Sequence, residues 1–308
     1  MKNKILFLVF VVLFFMKMNH SFSQTGSVDC SQVIKSEVLK QDMNYSVYLP
    51  PSYQSSTRSY PVLYLLHGMW GDHTSWITQG ETDRIATEIM NTGEVPEMII
   101  VMPNGFIDGF YINNYDNSVK WEDFFYKEFI PQVEKKYRIL NDRNYRAIAG
   151  LSMGGYGALY HAINHNDMFT VCYALSAGVI EVNQLKDGET LPAEDVEFMT
   201  KLWGPINSEG FPTNYKKYSI QEILKNSESY VAPSYYEIMT GQKYDLPAIT
   251  LDCGDDDFLF NENVNLVKIM KEKNIPVEFR VRQGAHTWDY WRSGLELALI
   301  YIGECFRN

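Results

Sequence analysis

Several things are scarce in this chain of 308 residues, and each scarcity excludes something. Cysteine occurs four times, at Cys30, Cys172, Cys253 and Cys305. None forms a Cys-x-x-Cys pair or stands near histidines at metal-ligand spacing, so nothing supports a cysteine-based metal centre. A disulfide is allowed in an exported protein, but the spacing chooses no partners, and buried free thiols fit equally well. Positive charge is also short: 27 Lys and Arg face 38 Asp and Glu, a net charge of −11. Such a surface repels nucleic acid and anionic lipid and suits a neutral or sparsely charged substrate. Internal repeats, low-complexity tracts and linker-like stretches are absent. With 45% hydrophobic residues the chain can bury a large core as one α/β domain.

Long apolar runs are confined to the start. Lys2 and Lys4 precede "ILFLVFVVLFFM", Lys17 closes it, and the polar "NHSFSQ" comes next. A run of about twelve residues is too short to span a bilayer, which needs roughly 20. Basic start, short apolar middle and the small residues Ser21 and Ser23 read as a secretory signal peptide over residues 1–23. An uncleaved anchor is the alternative, and a lipoprotein fits poorly because Cys30 lies well beyond the run. Removing residues 1–23 takes away three lysines and no acid, moving the net charge from −11 to −14. The expected product is a secreted or periplasmic protein, residues 24–308, that binds no nucleic acid and, once the signal is gone, no membrane.

Beyond residue 23 the chain settles into a rhythm of strands and helices. After a short tail, "MNYSVYLP" alternates like a strand, and "YPVLYLLHG" and "EMIIVMP" read as buried parallel strands. "ETDRIATEIMNTG" has helical spacing and a glycine stop; "WEDFFYKEFIPQVEKKY" is a helix that Pro131 should bend. "YRAIAG", "FTVCYALSAG", "PAITLDCG" and "PVEFRVRQG" continue the strands, separated by the helices "MGGYGALYHAINH" and "ENVNLVKIMKEKN", with a last helix from about Trp291. Residues 179–246 break the rhythm with short helical pieces and many tyrosines, as an insertion over one end of the sheet. Alternating strands and helices predict a mostly parallel sheet covered on both faces.

"AGLSMGGYGAL", residues 149–159, sits at a strand-to-helix junction. In an open parallel sheet, function gathers at the carboxyl ends of the strands. A serine on a sharp turn there projects its hydroxyl, and Gly150 and Gly154 remove side chains that would clash in the turn. The next helix aims free N–H groups and its positive dipole end at the site. A nucleophilic serine needs a base and an orienting acid, which in this arrangement come after it in the order acid, then histidine. His161 and His165 lie in the helix leaving the serine and read as surface or packing residues. His286, in the loop "GAHTWDYW" after a late strand, is the expected base. The acid should come from "CGDDDFLF", where Asp255, Asp256 and Asp257 are not distinguishable by chemistry. One oxyanion donor is expected at the N–H of Met153. The other is expected at Met69 in "LLHGMWGDHTSW", where Gly68 lets the backbone approach closely. His67 and His73 precede the serine and read as loop-shaping residues.

The blocks "YLLHGMWGDHTSW", "VMPNG", "WEDFF…FIPQVEKKYR", "RAIAGLSMGGYGAL" and "CGDDDFL…GAHTWDYW" together resemble the esterase D-like α/β-hydrolases. That group includes the family 1 carbohydrate esterases (feruloyl and acetylxylan esterases), tributyrin-type esterases, S-formylglutathione hydrolases and mycolyltransferases. The resemblance covers nearly all of the chain after about residue 40. It implies the α/β-hydrolase fold and a triad of Ser152, Asp257 and His286. Asp257 is singled out because the family's acid stands three places after the glycine of "CG"; the mycolyltransferase pattern supports Met69 as oxyanion donor. Such chemistry needs no metal and no organic cofactor. The expected function is hydrolysis of a small-molecule or polysaccharide ester, with a feruloyl ester favoured. An acetylxylan or other short-chain acyl ester is the alternative, and acyl transfer a further one. A non-catalytic binding protein on this scaffold is disfavoured, because all three triad members are present. Trp70, Tyr111, Trp288 and the tyrosines of the insertion are the candidates to stack on a substrate ring or sugar.

Overall fold

The computed structural model describes residues 25–107, 109–180, 193–232 and 245–307, with backbone alone for residues 193–195. The signal-like segment 1–23 lies outside them. Among the described residues no helix is long and apolar enough to cross a membrane.

The strands arise from their apolar runs. Val62–Leu66 (β3), Ile99–Pro103 (β4), Arg146–Leu151 (β5) and Val171–Leu175 (β6) are buried at every position. A parallel strand covered on both faces needs this composition. With Ser27–Ser36 (β1), Gln41–Leu49 (β2), Ala248–Gly254 (β7) and Glu278–Arg282 (β8) they form one eight-stranded sheet, ordered β1-β2-β4-β3-β5-β6-β7-β8. The pairs β1–β2 and β2–β4 are antiparallel, and β4–β3 and every pair beyond are parallel. β5, which leads into Ser152, therefore runs near the middle.

Side chains alternate across the sheet and build two cores. On one face Leu63, Leu65, Ala147, Ala149 and Tyr173 meet Ile85 and Met90 of Thr82–Thr92 (α2). The same face meets Leu295, Leu299 and Ile302 of Trp288–Cys305, the last helix. On the other face Tyr64, Leu66, Ile148 and Ala174 meet Ala158 and Leu159 of Met153–Asn164, the helix after the serine. Trp121, Phe125 and Phe129 cover the same face, with Leu266 and Met270 of the helix Phe260–Glu272. Each fully buried Leu or Ile side chain contributes about 1.5–3 kcal/mol.

Three expectations change. The short tail contains β1, an edge strand; its register shifts between Asp29 and Gln32, where the Asp29 carboxylate binds the Ser31 N–H and hydroxyl. That irregularity breaks the alternation that marks a strand in sequence. The helix expected to bend at Pro131 is not one uniform α-helix. Trp121–Phe124 (α3) runs through a wider π turn, Phe125–Phe129, into Ile130–Lys136 (α4). Proline lacks an N–H and its ring presses on the carbonyl four residues back, and the wider turn falls where that carbonyl lies. In the inserted region the described helices are Ala193–Trp203, Tyr215–Tyr218 and Ile220–Asn226. Their aromatic residues Trp203, Tyr215 and Tyr218 are buried core, not cleft lining. Tyr218 C=O accepts the Tyr156 hydroxyl at 2.7 Å, and its own hydroxyl donates to Asn113 C=O at 2.9 Å. Tyr230 is half-buried against the same core, its hydroxyl donating to the Asp245 carboxylate; Tyr235, Tyr236 and Tyr244 lie outside the described residues.

All four cysteines are free. Burial raises Cys172 far above the ordinary thiol range and pushes Cys253 up to about 12, so both stay protonated and inert.

Candidate active site

The serine turn is forced by its surroundings. Ser152 has φ 53° and ψ −118°, a conformation that costs an L-residue about 1–3 kcal/mol. Three backbone bonds hold it: Ser152 N–H donates to Leu175 C=O at 2.9 Å, and Ser152 C=O accepts from Tyr156 at 3.0 Å and Gly178 at 2.8 Å. The flanking glycines are steric requirements. A Cβ on Gly150 would lie 2.3 Å from the Gly154 carbonyl oxygen, and one on Gly154 would lie 2.4 Å from that of Leu66. The helix that starts at Met153, here α5 (with Ser75–Thr78 as α1), leaves the Met153 N–H without an intrahelical acceptor, and Met153 lines the cleft beside Ser152.

Chain order then assembles the rest at the same edge. The loop after β8 puts His286 Nε2 at 2.9 Å from Ser152 Oγ. The loop after β7 puts the Asp257 carboxylate against His286 Nδ1, at 2.9 Å to Oδ2 and 3.1 Å to Oδ1. The three neighbouring acids separate by direction. Asp257 is buried and also accepts the Leu259 N–H at 2.8 Å. Asp255 and Asp256 are exposed, and Asp255 accepts the Gly284 N–H at 2.9 Å, pinning the loop that carries His286. Burial alone would raise Asp257; the hydrogen bonds from His286 and Leu259 outweigh it and hold the carboxyl below its ordinary value. An ionised Asp257 fixes Nδ1–H on the imidazole and leaves the Nε2 lone pair for the serine proton.

The loop after β3 passes close to the serine: a Cβ on Gly68 would lie 2.6 Å from Leu151 Cδ1 and 3.4 Å from Ser152 Cβ. The next residue, Met69, has an N–H with no acceptor among the described residues. His67 shapes this loop. Its Nε2 accepts the Gly105 N–H at 2.9 Å, so its Nδ1–H donates to Gly68 C=O at 2.8 Å, and burial keeps it neutral. His73 is likewise structural, bonded to Ser46 Oγ at 2.9 Å. His161 is fully buried on α5, and burial pushes it down to about 4, so it offers no base to the cleft.

Above the serine lies a cleft of about 570 Å³. Met69, Trp70, Phe110, Ser152, His286 and Trp288 all line it. Trp288 is wedged edge-on between Trp76 and Trp291, at 5.4 and 5.3 Å between ring centroids. Trp70 stands 79% exposed at the rim. Tyr111, expected here, is not: it is fully buried beneath the cleft, with its hydroxyl donating to His67 C=O at 2.7 Å. Phe110 and Tyr111 both have positive φ, 47° and 59°, and this turn puts Phe110 in the cleft in its place. Phe258 and Trp291 also line the cleft, and neither was expected from the sequence. Phe258 is 73% exposed, its ring 4.5 Å from that of His286; its signal was its position directly after Asp257.

A serine hydroxyl, an imidazole and a carboxylate thus form one hydrogen-bonded chain under an apolar cleft. The protein is also similar to known proteins. An acetyl esterase of Caldicellulosiruptor saccharolyticus is 26% identical over 246 residues, covering 79% of this chain and 83% of that protein. An endo-1,4-beta-xylanase/feruloyl esterase of Xylanibacter ruminicola is 33% identical over 149 residues, 46% of this chain and 20% of that protein. A solved ferulic acid esterase superposes with a TM-score of 0.73 at 33% identity, covering 92% of this chain and 99% of that one. The profile of the Esterase family matches residues 36–302. The chain belongs to the Esterase family and is a carboxylic-ester hydrolase of the α/β-hydrolase fold.

Proposed function

We propose that this protein hydrolyses carboxylic esters of plant polysaccharides, feruloyl esters first among them, with Ser152 as nucleophile. The observation that carries the reading is the unbroken hydrogen-bond chain Ser152–His286–Asp257 at the floor of an aromatic cleft. Ser152 Oγ attacks the ester carbonyl while its proton passes to His286 Nε2. Asp257 holds the imidazole in the Nδ1–H tautomer and stabilises the imidazolium. The Met69 and Met153 N–H groups donate to the oxyanion. The alcohol leaves with the proton from His286. Water then gives a proton to His286, attacks the acyl-enzyme, and releases the acid as Ser152 recovers its hydrogen. The reaction balances with ester and water alone.

The feruloyl assignment draws on the aromatic lining of the cleft, Trp70, Phe110, Phe258 and Trp288, which suits a planar ring. The similar ferulic acid esterase structure and xylanase/feruloyl esterase support it. The acetyl esterase relative favours a second reading, a short-chain acyl ester. Export is part of the proposal and rests on residues 1–23. The test is kcat/KM of the purified enzyme on methyl ferulate against an aryl acetate. Efficient acetate cleavage with no detectable ferulate release would replace the first reading by the second.

A further inference from the structure

On the far side of α5 from the catalytic serine, three metal-binding side chains converge. His161 lies in the last turn of α5, His165 caps that helix at its C-terminal end, and Glu122 reaches both from α3. Their ligand atoms all lie within 4.8 Å of one another. We propose that Glu122, His161 and His165 form a zinc site that ties α3 to α5.

Second partners already orient two of the three ligands. His161 Nε2 lies 3.0 Å from Tyr111 C=O and therefore donates to it, which leaves the Nδ1 lone pair facing the cluster. A ligand histidine whose other nitrogen donates to a backbone carbonyl is the usual arrangement around bound zinc. Glu122 Oε2 accepts the Tyr160 hydroxyl at 3.3 Å, while Oε1 faces His165 Nε2 at 2.8 Å. Zinc bonds of about 2.0–2.2 Å in tetrahedral geometry separate ligand atoms by roughly 3.3 Å, so the three groups need only small side-chain shifts. Two imidazoles and a carboxylate match the donor preference of Zn²⁺ rather than Mg²⁺ or Ca²⁺.

The change on binding is a simple exchange. The proton that His165 Nε2 now donates to Glu122 moves to Nδ1 as the ion takes its place. The Tyr126 hydroxyl, 3.1 Å from His161 Nδ1, turns away and frees that lone pair. Glu122 and His165 are partly exposed, with side chains 18% and 29% accessible, so an ion and a completing water can enter from solvent. The site sits apart from the ester chemistry. Its effect is on the joint between the helix that begins beside Ser152 and the segment whose Trp121 ring meets Tyr111 at 4.8 Å.

The test is calorimetric titration of chelator-treated full-length enzyme with ZnCl₂, with thermal melts and the visible spectrum of the Co²⁺-loaded protein. One equivalent of Zn²⁺ should bind and raise the melting temperature. Glu122→Gln and His165→Ala should each weaken binding at least tenfold and abolish the Co²⁺ spectrum, while aryl acetate hydrolysis stays at the wild-type level. Retained hydrolysis shows that these variants fold, which makes them safer probes than the fully buried His161. Absence of saturable binding in the wild type, or binding that both variants leave intact, overturns the site.

Discussion

Among the described residues are two histidine–carboxylate pairs of nearly equal length. His286 Nδ1 meets Asp257 at 2.9 Å, and His165 Nε2 meets Glu122 at 2.8 Å. In both, burial would raise the carboxyl and the histidine bond helps hold it below its ordinary value. As local electrostatics they are alike. They differ in what the second nitrogen and the surroundings offer. The free face of His286 meets a serine hydroxyl on a strained turn at the edge of a central strand. His165 stacks on Tyr126 at 4.0 Å between ring centroids, beside the buried His161 and away from the cleft. The pair supplies a poised imidazole; the fold decides whether there is anything to activate.

The largest expected effects test that contrast directly. Ser152→Ala should fold normally and lose on the order of 10⁶ in turnover, the loss seen when such a serine is removed from a triad. Retention of a tenth of wild-type turnover would sink the nucleophile assignment. Asp257→Asn should cost about 10⁴, because the amide favours the wrong histidine tautomer. Asp255→Asn and Asp256→Asn should cost far less, and Glu122→Gln nothing in turnover. If Glu122→Gln or either neighbouring aspartate proved as crippling as Asp257→Asn, the distinction between the two pairs would collapse.

The sequence carried the floor of the site better than its walls. Ser152 was legible because its turn needs Gly150 and Gly154, whose Cβ atoms would strike backbone oxygens. His286 was legible from chain order. Asp257 was not separable from Asp255 and Asp256 by residue chemistry; the family resemblance singled it out, and the loop geometry buries it alone of the three. The walls depend on backbone excursions that composition hides. Two consecutive left-handed residues put Phe110 in the cleft and Tyr111 beneath it, and tyrosines 215 and 218 of the insertion went to the core. In the fold, the parallel strands announced themselves by continuous apolar runs. β1 did not, since an edge strand with a register shift has neither such a run nor clean alternation.

A smaller effect should show what the two pairs share. A carboxyl depressed in the folded state is charged there while its unfolded counterpart still binds a proton. Stability therefore rises with pH across that window. The contribution is fully present above the unfolded value, about 3.9 for Asp and 4.3 for Glu, and is lost as pH falls through the lower folded value. Wild type should accordingly lose stability on acidification more steeply than Asp257→Asn or Glu122→Gln does, in urea unfolding between about pH 5 and 2. Identical slopes in all three proteins would mean that neither pair is linked to folding.

The smallest expected effect lies in the wall above His286. A planar ring held against an aromatic side chain gains roughly 0.5–1.5 kcal/mol beyond its area burial, which is about a two- to tenfold change in rate or affinity. Trp288 is the residue to truncate, since its wedge between Trp76 and Trp291 gives it one fixed orientation. Trp70 is mostly in solvent and must lose side-chain freedom before it can stack. Trp288→Ala should lower kcat/KM for methyl ferulate by that factor more than for an aryl acetate. The loss should fall on kcat as well as KM if stacking also holds the carbonyl against Met69 and Met153. Tyr111→Phe is the control. It removes the bond to His67 C=O and should cost about 0.5–1.5 kcal/mol of stability while leaving the ratio of the two esters unchanged. A change of that ratio in Tyr111→Phe and none in Trp288→Ala would reverse the roles assigned to the two residues and return Tyr111 to the cleft.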